Sequence, residues 1–276
     1  MSRFAPSPTG RLHLGHAYSA VLAHDVARAA GGRFLLRIED IDGGRSRPEH
    51  ADAILADLAW LGLGWDELSR QSERLALYDA ALARLRAAGL AYPCFCTRAE
   101  IAAAAGAPHG PEARYPGTCR GIDAEPRLGE PHAWRLDMDA ALERAGRLRW
   151  HDAERGWVDA DPARQGDVVI ARKDAAASYH LAATVDDAAQ GVTVVVRGRD
   201  LFEATHVHRL LQALLDLPTP RYRHHALVVD AGGERLAKRR NSPALDAMRA
   251  AGTDGKKLAE ELRAERLPAG FRLENP

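Results

Sequence analysis

Cysteine is nearly missing from this chain of 276 residues: only Cys94, Cys96 and Cys119 occur. They are too few and too close together for a disulfide framework, which excludes the small, bridge-held secreted folds. No uninterrupted apolar run approaches the roughly 18–20 residues of a membrane span. The chain starts directly on a strand pattern, with no basic-then-apolar leader, so the expectation is a cytoplasmic protein. Net charge is absent as well, with 38 Lys+Arg against 38 Asp+Glu. The whole molecule therefore supplies no positive field to draw in nucleic acid, and an RNA partner must meet a local basic surface. Residues 221–225, residues 235–240 and Lys256-Lys257 offer such surfaces, although each is equally what a solvated face looks like. Lysine is scarce beside arginine: Lys173, Lys238, Lys256 and Lys257 are the only ones.

What is present is concentrated at the start. Arg3-Phe-Ala-Pro-Ser-Pro-Thr-Gly-Arg-Leu-His-Leu-Gly-His16 reads as a strand ending near Phe4 and Ala5, then a loop that Pro6, Pro8 and Gly10 keep from continuing it. A helix follows, opened by the apolar pattern from Leu12 onward. Backbone N–H groups left without partners at a helix start favour an anion, and His13 and His16, three residues apart, share a face there. That is the chemistry of a nucleotide-phosphate site. Alone, such a string would also suit an ordinary Pro/Gly turn with two surface histidines.

Farther along, the hydrophobic period changes several times and no internal repeat occurs. Helical spacing covers 16–30, 48–62 and 71–88, the second opened by Pro48, with a strand at 33–38. Residues 93–163 are irregular, with breakers at 106–111, 115–117 and 129–131 and with Trp134, Trp150 and Trp157 as anchors. Strand patterns return at 167–171 and 192–196, followed by helices at 205–216, 242–251 and 256–266. This alternation predicts an α/β nucleotide-binding fold interrupted by an insertion. The expected units are 1–92 and 164–216 for the two halves, 93–163 for the insertion, and 217–276 for a loop and a helical region. All the cysteines fall in the insertion. Three thiolates suit a structural zinc and need a fourth ligand, for which His109 is the first choice on ligand chemistry alone. Three buried thiols without metal are the alternative.

The opening residues resemble the HIGH signature of class I aminoacyl-tRNA synthetases, and the longer string RFAPSPTGxLHxGH is similar to that of the glutamyl/glutaminyl branch. Four more blocks carry the resemblance in order: Gly31-Gly-Arg-Phe-Leu-Leu-Arg-Ile-Glu-Asp-Ile-Asp42 with Arg45-Ser46, Tyr179-His-Leu-Ala-Ala-Thr-Val-Asp-Asp187, Val196-Arg-Gly-Arg-Asp-Leu201, and Arg235-Leu-Ala-Lys-Arg239 as a degenerate KMSKS loop. Little chain follows Arg240. In this the sequence resembles the truncated branch members, the glutamyl-queuosine tRNA(Asp) synthetases. The resemblance implies a Rossmann-type class I fold with an inserted zinc-containing, acceptor-binding region, a short helical C-terminal region and no anticodon-binding domain.

It also implies a reaction: ATP and L-glutamate give glutamyl-adenylate without tRNA, and the glutamate passes to queuosine in tRNA(Asp). No protein nucleophile is needed, so cations and donors matter more than a triad. By resemblance, His13, Gly15, His16 and Lys238 serve ATP and its magnesium. Arg3 and Arg197 take the substrate carboxylates, Glu39 takes the ammonium, and Phe4, Ala5, Pro6, Ser7 and Tyr179 complete the pocket. Arginine suits that task because its planar fork binds a carboxylate bidentately. Taken singly, Glu39 could instead pair with Arg37 or Arg45, Arg197 could lie on the surface beside Asp200, and Tyr179 could fill core. The family pattern Cys-x-Cys then Tyr-x-x-x-Cys turns the fourth zinc ligand to Tyr115, joining Cys94, Cys96 and Cys119. The loop departs from the family at Ala237 and Arg239, which implies weakened activity. A monomer is expected. Two other readings remain: a minimal glutamyl-tRNA synthetase charging tRNA(Glu), and a non-catalytic RNA-binding module. The Cys/Tyr/Cys pattern argues against the first, the intact ligand set against the second.

Overall fold

The computed structural model describes residues 1–97, 99–101, 114–236 and 243–274. Its strands are β1 (Ser2–Phe4), β2 (Phe34–Ile38), β3 (Glu67–Arg70), β4 (Ala91–Cys94), β5 (Ala133–Leu136), β6 (Arg149–Asp152), β7 (Gly156–Asp159), β8 (Val169–Ala171), β9 (Val194–Gly198), β10 (Arg221–His225), β11 (Val228–Asp230) and β12 (Phe271–Leu273). Its helices are α1 (Leu14–Ala29), α2 (Pro48–Trp60), α3 (Leu75–Ala87), α4 (Met138–Ala145), α5 (Tyr179–Ala189), α6 (Phe202–Leu214), α7 (Leu245–Ala250) and α8 (Gly255–Arg263).

The site is positioned by two parallel units lying side by side. β1 continues through α1 into β2, with β3 beyond it, all parallel. β9 continues through α6 into parallel β10, and β6 and β7 lie outside that strand. The units join at their inner edges, where the N–H groups of Thr193 and Val194 both donate to the Met1 carbonyl at 3.1 Å. Strand order therefore reverses between β1 and β9. In open parallel sheets, ligands bind outside the carboxyl ends of the strands at such a reversal.

Hydrophobic burial explains why the helices lie where they do. Leu14, Ala17, Tyr18, Ala20, Val21, Ala23 and Ala27 all turn inward from α1, and they pack with Phe34, Leu36, Ile54 and Leu58. Small alanines let this helix approach the sheet closely. A second cluster gathers α3, α4, α5 and α6 around Tyr78, Leu181, Leu210 and Leu211. Trp150 is fully buried among the rings of Phe202, Tyr222 and His224. Fully burying an apolar side chain of Leu or Phe size is worth roughly 1.5–3 kcal/mol, so these clusters hold the strand ends in fixed register.

Two features differ from the sequence expectation. The helix expected over 71–88 is a short turn at Gln71–Glu73 followed by α3, with Arg74 (φ −121°) between them and its Nε bonded to Asp186 at 2.6 Å. A charged side chain reaching a buried carboxylate has interrupted the local pattern. The strand expected at 167–171 is β8, and it pairs antiparallel with β5 in a separate β4-β5-β8 sheet, while β6 and β7 join the main sheet through β10. A three-residue strand encodes its period but not its partner. At the C-terminal end, Leu245 N–H donates to Leu12 O at 2.9 Å and Ala244 bridges His13. β12 pairs antiparallel with β11, and Arg199 meets Glu274 at 2.8 Å.

Candidate active site

A cleft of about 570 Å³ opens at the strand reversal. Its walls are Arg3 to Ser7 at the end of β1 and just beyond it, His13, Gly15 and His16 at the start of α1, Glu39 after β2, Tyr179 at the start of α5, and Val196 to Gly198 at the end of β9. Leu227, Val228, Arg235 and Leu236 close one side. Five separate blocks of sequence thus deliver their polar side chains to one place.

The charges along the floor are nearly all paired. Arg3 holds Asp187 through Nε (3.0 Å) and Nη2 (3.3 Å) and donates Nη1 to Val196 O. Arg37 is fully buried. It donates to Asp187 Oδ1 at 2.8 Å, to Gln190 Oε1 at 2.9 Å and to Glu39 Oε1 at 3.2 Å, with Asp186 at 3.6 Å. Asp186 accepts in addition from Gln71, Arg74 and Tyr78. Burial pushes the Glu39 carboxyl above the usual carboxylate range, against the pull of Arg37 and Arg3. Burial also opposes ionisation of Asp187, but Arg3 and Arg37 more than offset it and hold that carboxyl low.

Arg197 is the exception. It is 5 % exposed and, among the described residues, has no carboxylate within ion-pair reach. Neutral acceptors hold it: Thr205 Oγ1 at 2.6 Å, Tyr179 Oη at 3.0 Å, His224 Nε2 at 3.2 Å and His208 Nδ1 at 3.3 Å. Burial pushes Tyr179 up and His208 well down, so phenol and imidazole both stay neutral. A buried cation without an acidic partner is costly, and a site that keeps one is arranged to receive an anion.

The start of α1 is built from its own histidines. His13 is the N-cap and its Nδ1 accepts from Gly15 N–H at 3.2 Å, while His13 N–H donates to His16 Nδ1 at 3.1 Å. The two rings lie 3.8 Å apart. A Cβ at position 15 would come within 3.2 Å of the His13 ring, so glycine is what lets the ring fold over the helix end. Lys238, Ala237 and Arg239 lie outside the described residues, as does His109. The flanks of that loop are at the cleft, with Arg235 and Leu236 in its wall and Ala244 against His13.

The three cysteines come together where β4 ends. The sulfurs of Cys94, Cys96 and Cys119 lie within 4.8 Å of one another, and no other group of three His, Cys, Asp or Glu donors forms among the described residues. Cys96 Sγ is 3.5 Å from both Cys119 Sγ and Tyr115 Oη, and Tyr115 Oη also accepts from Cys119 N–H at 2.8 Å. Burial would raise Cys119, but hydrogen bonds from Tyr115 and its neighbours hold the thiol below its usual range. A tetrahedral zinc with Zn–S of about 2.3 Å sets its sulfurs roughly 3.8 Å apart, which this cluster fits. The cluster is braced from behind: Arg135 lies 3.8 Å over the Tyr115 ring, and Asp167 holds both Arg120 and Tyr92.

Sequence reasoning singled out neither Arg37, Asp186 and Asp187 as a network nor Thr205, His208 and His224 as the cage of Arg197. Arg37 sits in the apolar run Phe34-Leu-Leu-Arg-Ile38, where an arginine with all-apolar neighbours is the one signal of a buried charge needing a distant partner.

The family model of class I tRNA synthetases (E and Q), catalytic domain, matches residues 1–263. The glutamyl-Q tRNA(Asp) synthetase of Rhodobacter capsulatus is 53 % identical over 266 residues, covering 91 % of this chain and 95 % of that protein. That of Deinococcus radiodurans is 47 % identical over 264 residues, covering 94 % and 86 %. A solved glutamate tRNA ligase from Elizabethkingia meningosepticum, in complex with its amino acid, is similar with a TM-score of 0.73 at 28 % identity. The match covers 88 % of this chain and 53 % of that one, so the chain spans about half the length of that structural neighbour.

Proposed function

The chain belongs to the glutamyl-Q tRNA(Asp) synthetase family of the class I tRNA synthetases, a family of ligases, and on that premise we propose that it activates L-glutamate with ATP and transfers it to the cyclopentenediol of queuosine at the wobble position of tRNA(Asp). The observation that carries the reading is Arg197, a buried guanidinium with no acidic partner among the described residues, lining the same cleft as the buried anion Glu39. A cation on β9 and an anion just past the end of β2 suit a zwitterion that bears one extra carboxylate.

Arg197 takes the side-chain carboxylate of glutamate, and Tyr179 fixes the plane of its fork. Glu39 takes the ammonium group, whose charge offsets the burial that raises its pKa. Arg3, clamped by Asp187, adds positive potential beneath the substrate. The α-carboxylate then attacks the α-phosphorus of ATP. A P–O bond to the glutamyl oxygen forms, the bond to the bridging oxygen breaks, and pyrophosphate leaves. His13 and His16 at the start of α1 stabilise phosphate charge, and Lys238 neutralises the leaving pyrophosphate. Magnesium would accompany the ATP phosphates and offset their charge. In the second half-reaction a cyclopentenediol hydroxyl attacks the glutamyl carbonyl carbon and AMP leaves.

Cys94, Cys96, Cys119 and Tyr115 would hold a zinc ion. Its contribution there would be cross-linking rather than chemistry, since four protein ligands would leave no position for a reacting water. With the ion held, these residues would tie the end of β4 to residues 115–119, next to the Asp167 contacts with Arg120 and Tyr92.

The test is transfer of labelled glutamate, with ATP, to tRNA prepared from queuosine-containing and queuosine-lacking cells, with no other synthetase added. Label on the queuosine-containing pool alone is expected. Equal labelling of both pools would replace the proposal with ordinary charging of tRNA(Glu).

A further inference from the structure

Arg197 poses a problem that its nearest neighbours do not solve. Something must keep a buried guanidinium aimed into the cleft, yet a carboxylate bound directly to it would occupy the fork. The neighbours instead form a chain. Arg197 Nε donates to His224 Nε2 at 3.2 Å, a nitrogen that also lies 3.1 Å from the Thr205 hydroxyl, and His224 Nδ1 lies 2.7 Å from Asp152 Oδ2. Arginine can only donate, so Nε2 of His224 must be an unprotonated acceptor and the ring proton must sit on Nδ1, facing Asp152. Asp152 is itself fixed, because its other oxygen accepts the backbone N–H groups of Glu154 and Arg155 at 3.0 and 3.2 Å. His224 and Asp152 are both buried, and the imidazole is stacked on Tyr222 with Phe202 and Trp150 at its edges.

We propose that Asp152 and His224 are positioning residues for substrate binding: Asp152 sets the His224 tautomer, which presents a lone pair to Arg197 and holds its fork toward the glutamate carboxylate. The carboxylate that balances the buried cation sits one imidazole away, so it steadies Arg197 without competing with the substrate. The inference rests on the reading of Arg197 as the carboxylate site. It adds two residues on β6 and β10, outside every motif at the cleft, that act only through another side chain.

A single atom exchange tests this. In Asp152→Asn the amide oxygen keeps the two backbone N–H donors, which turns the amide NH2 toward His224 Nδ1. That forces the ring proton onto Nε2, where it opposes the Nε–H of Arg197. In glutamate-dependent pyrophosphate exchange, the glutamate KM of Asp152→Asn should rise roughly tenfold or more, as expected for loss of a hydrogen bond to a charged group, with kcat and the ATP KM nearly unchanged. His224→Leu, which removes the acceptor, should behave likewise. His224→Gln, whose amide oxygen can accept from Arg197 while its NH2 donates to Asp152, should recover most of the affinity. The 15N shifts of His224 should exchange between its two nitrogens in Asp152→Asn. An Arg197→Ala control separates the failures. If Arg197→Ala raises the glutamate KM while His224→Leu and His224→Gln match each other, or Asp152→Asn leaves KM unchanged, the relay is refuted and the carboxylate site stands. If Arg197→Ala itself leaves KM unchanged, the carboxylate reading falls and the relay with it.

Discussion

Replacing Arg37 by methionine should uncover what its charge does beneath the cleft. The side chain is fully buried, and its guanidinium touches Asp187 at 2.8 Å, Gln190 at 2.9 Å, Glu39 at 3.2 Å and Asp186 at 3.6 Å. Methionine fills comparable length with no charge. Asp187 would keep Arg3, and Asp186 would keep Gln71, Arg74 and Tyr78. Glu39 would lose the one ion pair that the described residues give it. Breaking a buried pair by removing one partner costs about 3–5 kcal/mol, a large share of the 5–15 kcal/mol that holds a typical domain.

The pH dependence gives this prediction its sign. The Glu39 carboxyl already sits above its ordinary value of 4.5, because burial outweighs Arg37 and Arg3. Removing Arg37 raises it further. A carboxyl whose folded pKa exceeds its unfolded value binds the proton more tightly when folded, so its contribution to stability is lost as pH rises from about the unfolded value through the folded one. The deficit of Arg37→Met should therefore be largest at pH 8 and shrink toward pH 5. Asp187, Asp152 and Asp167, held low in the folded protein, change their contribution only below that range. Urea unfolding of both proteins from pH 5 to pH 8, followed by tryptophan fluorescence, measures the difference. A deficit under about 1 kcal/mol, or one flat with pH, would refute the reasoning.

Other perturbations have equally definite signs. Asp57 of α2 is buried with both carboxylate oxygens outside any hydrogen bond, and burial raises its pKa to about 6 despite Arg249 at 3.3 Å. Asp57→Asn should therefore stabilise the protein at pH 8 by roughly 1–3 kcal/mol, a gain that fades as pH falls through 6 toward 4; destabilisation at pH 8 by urea titration would contradict it. Cys119→Ser should lower the metal content, read by elemental analysis, from one zinc per chain, whereas Tyr115→Phe should weaken retention against a chelator yet keep the ion on three thiolates. Gly255 opens α8 with the Trp60 carbonyl 2.3 Å from where a Cβ would lie. Gly255→Ala should lower Tm even though alanine is the better helix former by about 1 kcal/mol, and a raised Tm would show that the α2–α8 contact yields.

How much of this was legible in the sequence depended on the distance between partners. The helix start at His13 and His16 could be read locally, because a capping arrangement closes within three residues. The cysteine cluster was readable from composition and spacing, since thiols are scarce and Cys94, Cys96 and Cys119 gather in one irregular stretch. Arg37 was not readable as a hub, because its partners Asp186 and Asp187 lie about 150 residues away, on a helix of the other half. Nor were His208 and His224, which look like ordinary histidines on an amphipathic helix and a short strand until β9 and β10 are paired. Sheet membership failed for the same reason: Val169–Ala171 shows a strand but not that β5, rather than the main sheet, is beside it.

The arrangement of charge explains why two halves are needed for one pocket. Arg3, Arg37, Arg197, Glu39, Asp186 and Asp187 are all buried near the line where β1 meets β9. Had each half neutralised its own charges, the floor would be inert. Instead, Arg3 and Arg37 of the first half are matched to Asp187 and Asp186 of the second. That cross-matching fastens the halves together and leaves both acids engaged beneath the cleft, while Arg197 keeps only neutral acceptors among the described residues. It follows that substitutions weakening the junction, Asp187→Asn among them, should raise the glutamate KM as well as lower stability, although Asp187 itself is clamped beneath Arg3 rather than paired with Arg197.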